Sequence, residues 1–290
     1  MHISVSSWSF HRLLYGGTFR LPDVPLAVFE CGIRHVELND LFLTSPPPGR
    51  LARLMGAPAP QGKAPDYGRK ALMQLRQGRL RSGTRLACWT IETDLTVATK
   101  EERDAQRAYI ATAIQAARFL GAPILRLTLG GASGDHAGLS RAVDLLRSVL
   151  PVAMASNVRL AIENHGGLSS ETGSLESVIG AFGSIGGSGA RPLGVCLDLG
   201  HFADGQHAAG VARLAPLAIH VHAPARSFDE RGDETTIDYG MSMSALRSAA
   251  YDAAISIEYT GDGDPRDGIL KTKTLITRHW DSRAVALRGL

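Results

Sequence analysis

The chain has 290 residues, 44% of them hydrophobic and 20% charged, with a net charge of +3. That is enough apolar material for one large core, and a single α/β barrel uses about 250 residues. A balance this mild, with arginines scattered rather than clustered, excludes the basic footprint of a nucleic-acid binder, and no apolar run approaches the roughly 18 residues of a membrane span.

The opening MHISVSSWSF lacks the charged-then-apolar pattern of a secretory leader, so the cytoplasm is the expected compartment. Cys31, Cys88 and Cys196 lie in apolar runs without CxxC spacing, and are expected as reduced core residues. Short β-branched runs alternate with longer helical patterns along the whole chain. The predicted strands are 3-ISVSSW-8, 35-HVELN-39, 85-RLACWTIE-92, 124-ILRLTLG-130, 158-VRLAIEN-164, 193-LGVCLDL-199, 217-LAIHVHA-223 and 254-AISIEY-259. Several are too apolar for one-sided burial, as strands with helices outside and a barrel core inside would be.

Between them, 101-EERDAQRAYIATAIQAARFLG-121 places Tyr109, Ala113, Ala116 and Leu120 on one helical face, with Gly121 as a stop. In 139-LSRAVDLLRSVLPVAMASN-157 the corresponding face is Leu139, Val143, Leu146 and Leu150, and Pro151 should kink or break the helix. Ser174 is placed to cap 175-LESVIGAFG-183. Proline density marks 44-TSPPPGRLARLMGAPAPQGKAPD-66 as a long loop after the second strand. A second, polar loop, 225-ARSFDERGDETTIDYG-240, follows the seventh strand on the side where a substrate would enter. Eight strands in this alternation predict a single (β/α)8 barrel domain over residues 1–290.

Glu163, Asp198, His222 and Glu258 each close one of four consecutive strand runs. The intervals 163 to 198, 198 to 222 and 222 to 258 each leave room for one loop, one helix and the next strand. Their side chains would therefore converge on one rim of the barrel. Three carboxylates and an imidazole suit a divalent cation such as Mn²⁺, Co²⁺, Mg²⁺ or Zn²⁺. Such a cation stabilises the enediolate left when a proton is taken next to a carbonyl. Glu163 and Glu258, closing the first and last ligand strands, are the natural base and acid.

Gly200 turns the chain after Asp198, so His201 is a fifth ligand or a grip on a substrate oxygen. His220 shares a strand face with His222 but lies deeper, which makes it a support or core residue. His165, on the face of Glu163, is a candidate substrate contact. Trp8, Phe10, Trp89 and Glu92 are candidates for a sugar-pocket wall, with barrel core as the competing role for the aromatics. Arg126 could meet an anionic substrate group or form a structural ion pair. No G-x-S-x-G elbow, P-loop or strand-linked G-x-G-x-x-G is present, so no nucleotide cofactor is expected.

Five stretches, 161-AIENHGG-167, 196-CLDLGHF-202, 220-HVHA-223, 236-TIDYG-240 and 254-AISIEYTGDGD-264, resemble the xylose isomerase-like barrel superfamily of sugar-phosphate isomerases and epimerases, which includes endonuclease IV. The resemblance implies Glu163, Asp198, His222 and Glu258 as metal ligands, with both glutamates in proton transfer and His201 near a substrate hydroxyl. It also likens Arg226 to the substrate-contacting arginine of ketose epimerases, although the spacing differs. Many members carry a Lys-Asp pair after the ligand histidine where this chain reads Ala223-Pro224-Ala225-Arg226. The extra histidines of endonuclease IV are absent from 37-ELND-40, 88-CWTIE-92 and 229-DER-231, which argues against a three-metal phosphodiesterase.

The expected function is a metal-dependent isomerase or epimerase acting on a sugar, sugar phosphate or keto acid. A dehydratase of the inosose or dehydroshikimate type would use the same site. A small-molecule substrate, no nucleic acid, no membrane and a possible homo-oligomer complete the expectation.

Overall fold

The computed structural model describes residues 1–44, 66–183, 191–203 and 205–286. Eight strands, β1 (His2–Ser6), β2 (His35–Asn39), β3 (Arg85–Thr90), β4 (Ile124–Thr128), β5 (Arg159–Glu163), β6 (Leu193–Asp198), β7 (Ala218–Ala225) and β8 (Ala254–Tyr259), close into one barrel. Each pairs in parallel with its successor, and β8 returns to β1 through His2–Ala254 to Val5–Ile257. The helices α1 (Val24–Glu30), α2 (Arg69–Ser82), α3 (Lys100–Leu120), α4 (His136–Ala155), α5 (Thr172–Gly180), α6 (His207–Leu214), α7 (Tyr239–Ser248) and α8 (Pro265–Ala286) lie between or after the strands. All eight predicted strands are present, β2 and β8 with the predicted bounds. No helix among the described residues is long and apolar enough to cross a membrane.

Strand alternation divides the sheet into two unlike faces. Val36, Leu38, Leu125, Leu127, Ile162, Val195, Leu197, Val221, Ile255 and Ile257 point outward and are buried beneath the helices. Much of the inward face is small or polar: Ser4, Ser6, Glu37, Cys88, Thr90, Arg126, Cys196, His220 and Ser256 are all buried. The barrel interior therefore combines these side chains with a small apolar cluster of Cys88, Ile124, Ala161, Cys196 and Ile219. Charges sit there because they meet one another: Glu37 from β2 reaches His220 and His222 of β7 across the barrel. All three cysteines are free and buried, as expected.

α3 begins on a capping box, with Thr99 accepting from the Glu102 backbone and Glu102 returning to Thr99. It ends at Gly121, whose φ of +80° closes the helix in the left-handed region. Its predicted face, Tyr109, Ala113, Ala116 and Leu120, is buried throughout. The expected alternative of a break at Pro151 is not met, because α4 runs through it to Ala155. Proline near the last turn removes one backbone donor, and Val149, Leu150 and Ala153 still pack on the core. α5 starts earlier than expected, so Glu171 is its N-cap and Ser174 lies inside the helix, 3.5 Å from the Glu171 carboxylate. Most of the predicted 44–66 loop lies outside the described residues.

Candidate metal centre

Glu163 ends β5 and Asp198 ends β6, while His222 and Glu258 lie near the C-terminal ends of β7 and β8. The structure brings all four to the same mouth of the barrel, where active sites of this architecture sit. His222 is their meeting point. Its Nδ1 is 2.6 Å from Glu163 Oε1, 3.9 Å from Asp198 Oδ2 and 3.8 Å from Glu258 Oε2. Ligand-capable atoms of Glu163, Asp198 and His222 all lie within 4.8 Å of one another, and those of Glu37, His222 and Glu258 form a second set.

Asp198 is held by its surroundings on one side only. Its Oδ1 accepts from the backbone of Gly200 at 2.6 Å and of His201 at 3.0 Å, and lies 3.2 Å from His201 Nδ1. Among the described residues its Oδ2 is buried without a hydrogen-bond partner, and it is turned toward His222. A buried carboxylate oxygen left in that condition is costly, and a cation among these oxygens would satisfy it. The donor set of oxygens and one imidazole nitrogen fits a divalent ion. Asn164, buried at the end of β5, fixes the geometry further. Its side-chain amide donates to the Asp198 and His201 carbonyls at 2.8 and 3.0 Å and accepts from the Asp198 N–H at 2.8 Å.

Charge sharing separates Glu258 from Asp198. Burial, opposed by His222 and reinforced by Glu37 and Asp198, raises the Glu258 carboxyl above the usual range. Burial would also raise Asp198, but the His201 hydrogen bond and the charges of His201 and His222 hold it low. His222 is itself pushed well up: burial opposes its charge, and Cys196, Glu258 and Glu37 outweigh burial.

A cavity of about 720 Å³ opens above this cluster, within the size range of small-molecule sites. Trp8, Glu92, Arg126, His165, His201, Arg226, Glu234 and Glu258 are on its wall. Of the predicted substrate contacts, His201, His165 and Arg226 face the cavity. Burial and the nearby Arg126 bring His165 down to about 4, so its imidazole is neutral at physiological pH. Trp89 does not face it: the side chain is fully buried on the outer side of β3, edge-on to Tyr67 at 5.8 Å. Alternation explains the difference, because Cys88 and Thr90 take the inward positions. Phe10 is likewise core, whereas Trp8 is half-buried beside Phe42.

Arg126 is an ion-pair centre. Its side chain is 3% exposed, with Nη1 2.6 Å from Glu92 Oε1 and Nη2 in contact with Glu163 Oε2. Two features of the site were not legible as such in the sequence. Glu37 reads as an ordinary strand residue until the barrel closes, and Glu234 becomes a loop anchor by accepting from the backbone of Thr236 and Ile237 at 2.5 and 2.7 Å.

Residues 29–278 match the family model described as xylose isomerase-like TIM barrel. No curated protein matches the sequence. Among solved structures, a D-tagatose 3-epimerase-like protein shares 17% identity at a TM-score of 0.69, over 99% of this chain and 100% of that one. An L-ribulose 3-epimerase shares 16% at 0.71, over 100% and 98%. The probable 3-DHS dehydratase AsbF from Bacillus anthracis shares 14% at 0.66, over 96% and 99%. At these identities the likeness is one of fold.

Proposed function

We propose that this chain, which belongs to the xylose isomerase-like TIM barrel family, is a divalent-metal-dependent sugar isomerase or epimerase that moves a proton next to a carbonyl. The observation carrying this reading is the convergence of Glu163, Asp198 and Glu258 on His222 Nδ1 beneath a cavity of ligand size. A cation held by those four residues would supply positive charge against the oxyanion that develops as the carbon acid loses its proton.

The chain's own residues do the rest. Glu163, anchored by Arg126 and His222, takes the proton from the substrate carbon. Glu258, the second glutamate of the mouth and on the cavity wall, is the partner that returns a proton. His201, fixed by Asp198, donates to a substrate hydroxyl, with His165 and Arg226 as further contacts along the wall. The sugar 3-epimerases among the structural neighbours support a sugar substrate, and the half-buried Trp8 offers an aromatic face to sugar C–H groups.

The dehydratase among the structural neighbours favours a second reading: a proton delivered to a departing β-hydroxyl is lyase chemistry on the same intermediate.

The test is a screen of ketoses, inososes and hydroxy-keto acids in D₂O with Mn²⁺ or Co²⁺ added. Deuterium entering next to the carbonyl in a mass-neutral product supports the isomerase or epimerase, and loss of water supports the lyase. Turnover without deuterium exchange, undiminished by chelation, would overturn the metal-assisted proton transfer.

A further inference from the structure

We propose that Glu37 is a positioning residue that presents His222 to the cation, an inference that rests on the metal centre proposed above. Glu37 lies in the middle of β2, on the inward face, and is fully buried. His222 Nε2 is 3.0 Å from its Oε1 and 3.2 Å from its Oε2. Nδ1, the opposite ring nitrogen, is the one turned to Glu163, Asp198 and Glu258.

An imidazole that binds a cation through one nitrogen must carry its proton on the other. Glu37 provides the acceptor for that proton, so it selects the Nε2–H tautomer and leaves the Nδ1 lone pair facing the other ligands. A carboxylate in this role also fixes the plane of the ring and makes it a stronger donor to the metal. Glu37 is held in turn: Thr90 donates its hydroxyl to Oε1 at 3.0 Å, and His220 Nε2 lies 2.6 Å from Oε2. The chain Thr90–Glu37–His222 thus spans the barrel from β3 to β7. Thr90, His220 and His222 engage both carboxylate oxygens of Glu37 inside the barrel.

A purely structural ion pair predicts lost stability with unchanged metal affinity, and that difference decides the test. Calorimetric titration of chelator-stripped protein with Mn²⁺ compares the natural chain with Glu37→Gln, alongside thermal unfolding of both. Binding should weaken by about 10–100-fold in Glu37→Gln, beyond anything a fall in melting temperature explains. Affinity within about twofold of the natural chain would overturn the proposal.

Should that variant fail to fold, ¹⁵N-histidine NMR of the natural chain loaded with Zn²⁺ decides independently. A proton on His222 Nε2 with Nδ1 at the metal is the expected pattern, and the reverse tautomer refutes Glu37's role. If the natural chain takes up none of Mn²⁺, Co²⁺, Zn²⁺ or Mg²⁺, the metal centre itself falls. If it binds and Glu37→Gln binds equally well, only the positioning role falls.

Discussion

Arg126→Leu removes the guanidinium that lies between the carboxylates of Glu92 and Glu163. Arg126 is almost fully enclosed, at 3% exposure, and Glu92 is 23% exposed, so the interaction is poorly screened. Breaking such a pair from one side typically costs about 3–5 kcal/mol, because the remaining charge stays buried without compensation. With an unfolding entropy of about 2.1 cal/mol/K per residue over 290 residues, that loss lowers the melting temperature by about 5–8 °C.

The pH dependence gives a sharper check. Burial alone would raise the Glu92 carboxyl, and Arg126 is the largest influence holding it low. In the natural chain the pair's stabilisation is therefore complete above the ordinary glutamate range and fades only as pH falls through the lowered folded value. In Arg126→Leu burial is less opposed, the folded carboxyl rises, and stability drops as pH climbs from about 4.5. The gap between the two proteins should be smallest in acid, below the lowered Glu92 value, and largest at pH 8. Urea unfolding across that range measures it. A gap under about 1 kcal/mol at pH 8, or one that is constant with pH, would refute a buried charge bridge at Arg126.

Glu163→Gln and Glu258→Gln should each lower turnover by at least about 10²-fold without loss of fold, and retained activity in either removes it from the acid–base pair. If the proposed function holds, chelation should abolish the reaction found by the screen, with Mn²⁺ or Co²⁺ restoring it. Asp40 is buried, accepts from Tyr67 and Tyr109 at 2.8 and 2.7 Å, and is raised by burial to about 7. Its proton stays on in the folded chain after the unfolded chain has lost it, so stability should fall by about 3 kcal/mol between pH 5 and 7 and then level off. Asp40→Asn should flatten that slope in denaturant titrations, and an unchanged slope would place the effect elsewhere. Helix propensity favours Gly78→Ala in α2 by about 1 kcal/mol. A Cβ there would sit 2.1 Å from the Pro22 carbonyl, so thermal unfolding should show a destabilised variant, and a gain would contradict the close approach.

Sequence periodicity was enough to locate the strands because a β-run bounded by turn residues declares itself locally. β2 and β8 appear with the bounds read from HVELN and AISIEY. The mouth cluster was legible for the same reason: a carboxylate or imidazole closing each of four successive strands must point to one rim once the strands are parallel. The Pro151 break failed because a local preference was outweighed by the packing of Leu150 and Ala153.

Other features depended on closure. Parity alone could not tell which face of β3 would line the pocket, so Trp89 went to the outer core while Thr90 and Glu92 took the cavity side. Nor could local pattern show that Glu37 on β2 meets His222 on β7, since the two lie on different strands and touch only across a closed barrel. Spacing along the chain determines which residues share an end of the fold. Which buried charges neutralise one another is a property of distances through the interior, and those exist only once the sheet has closed.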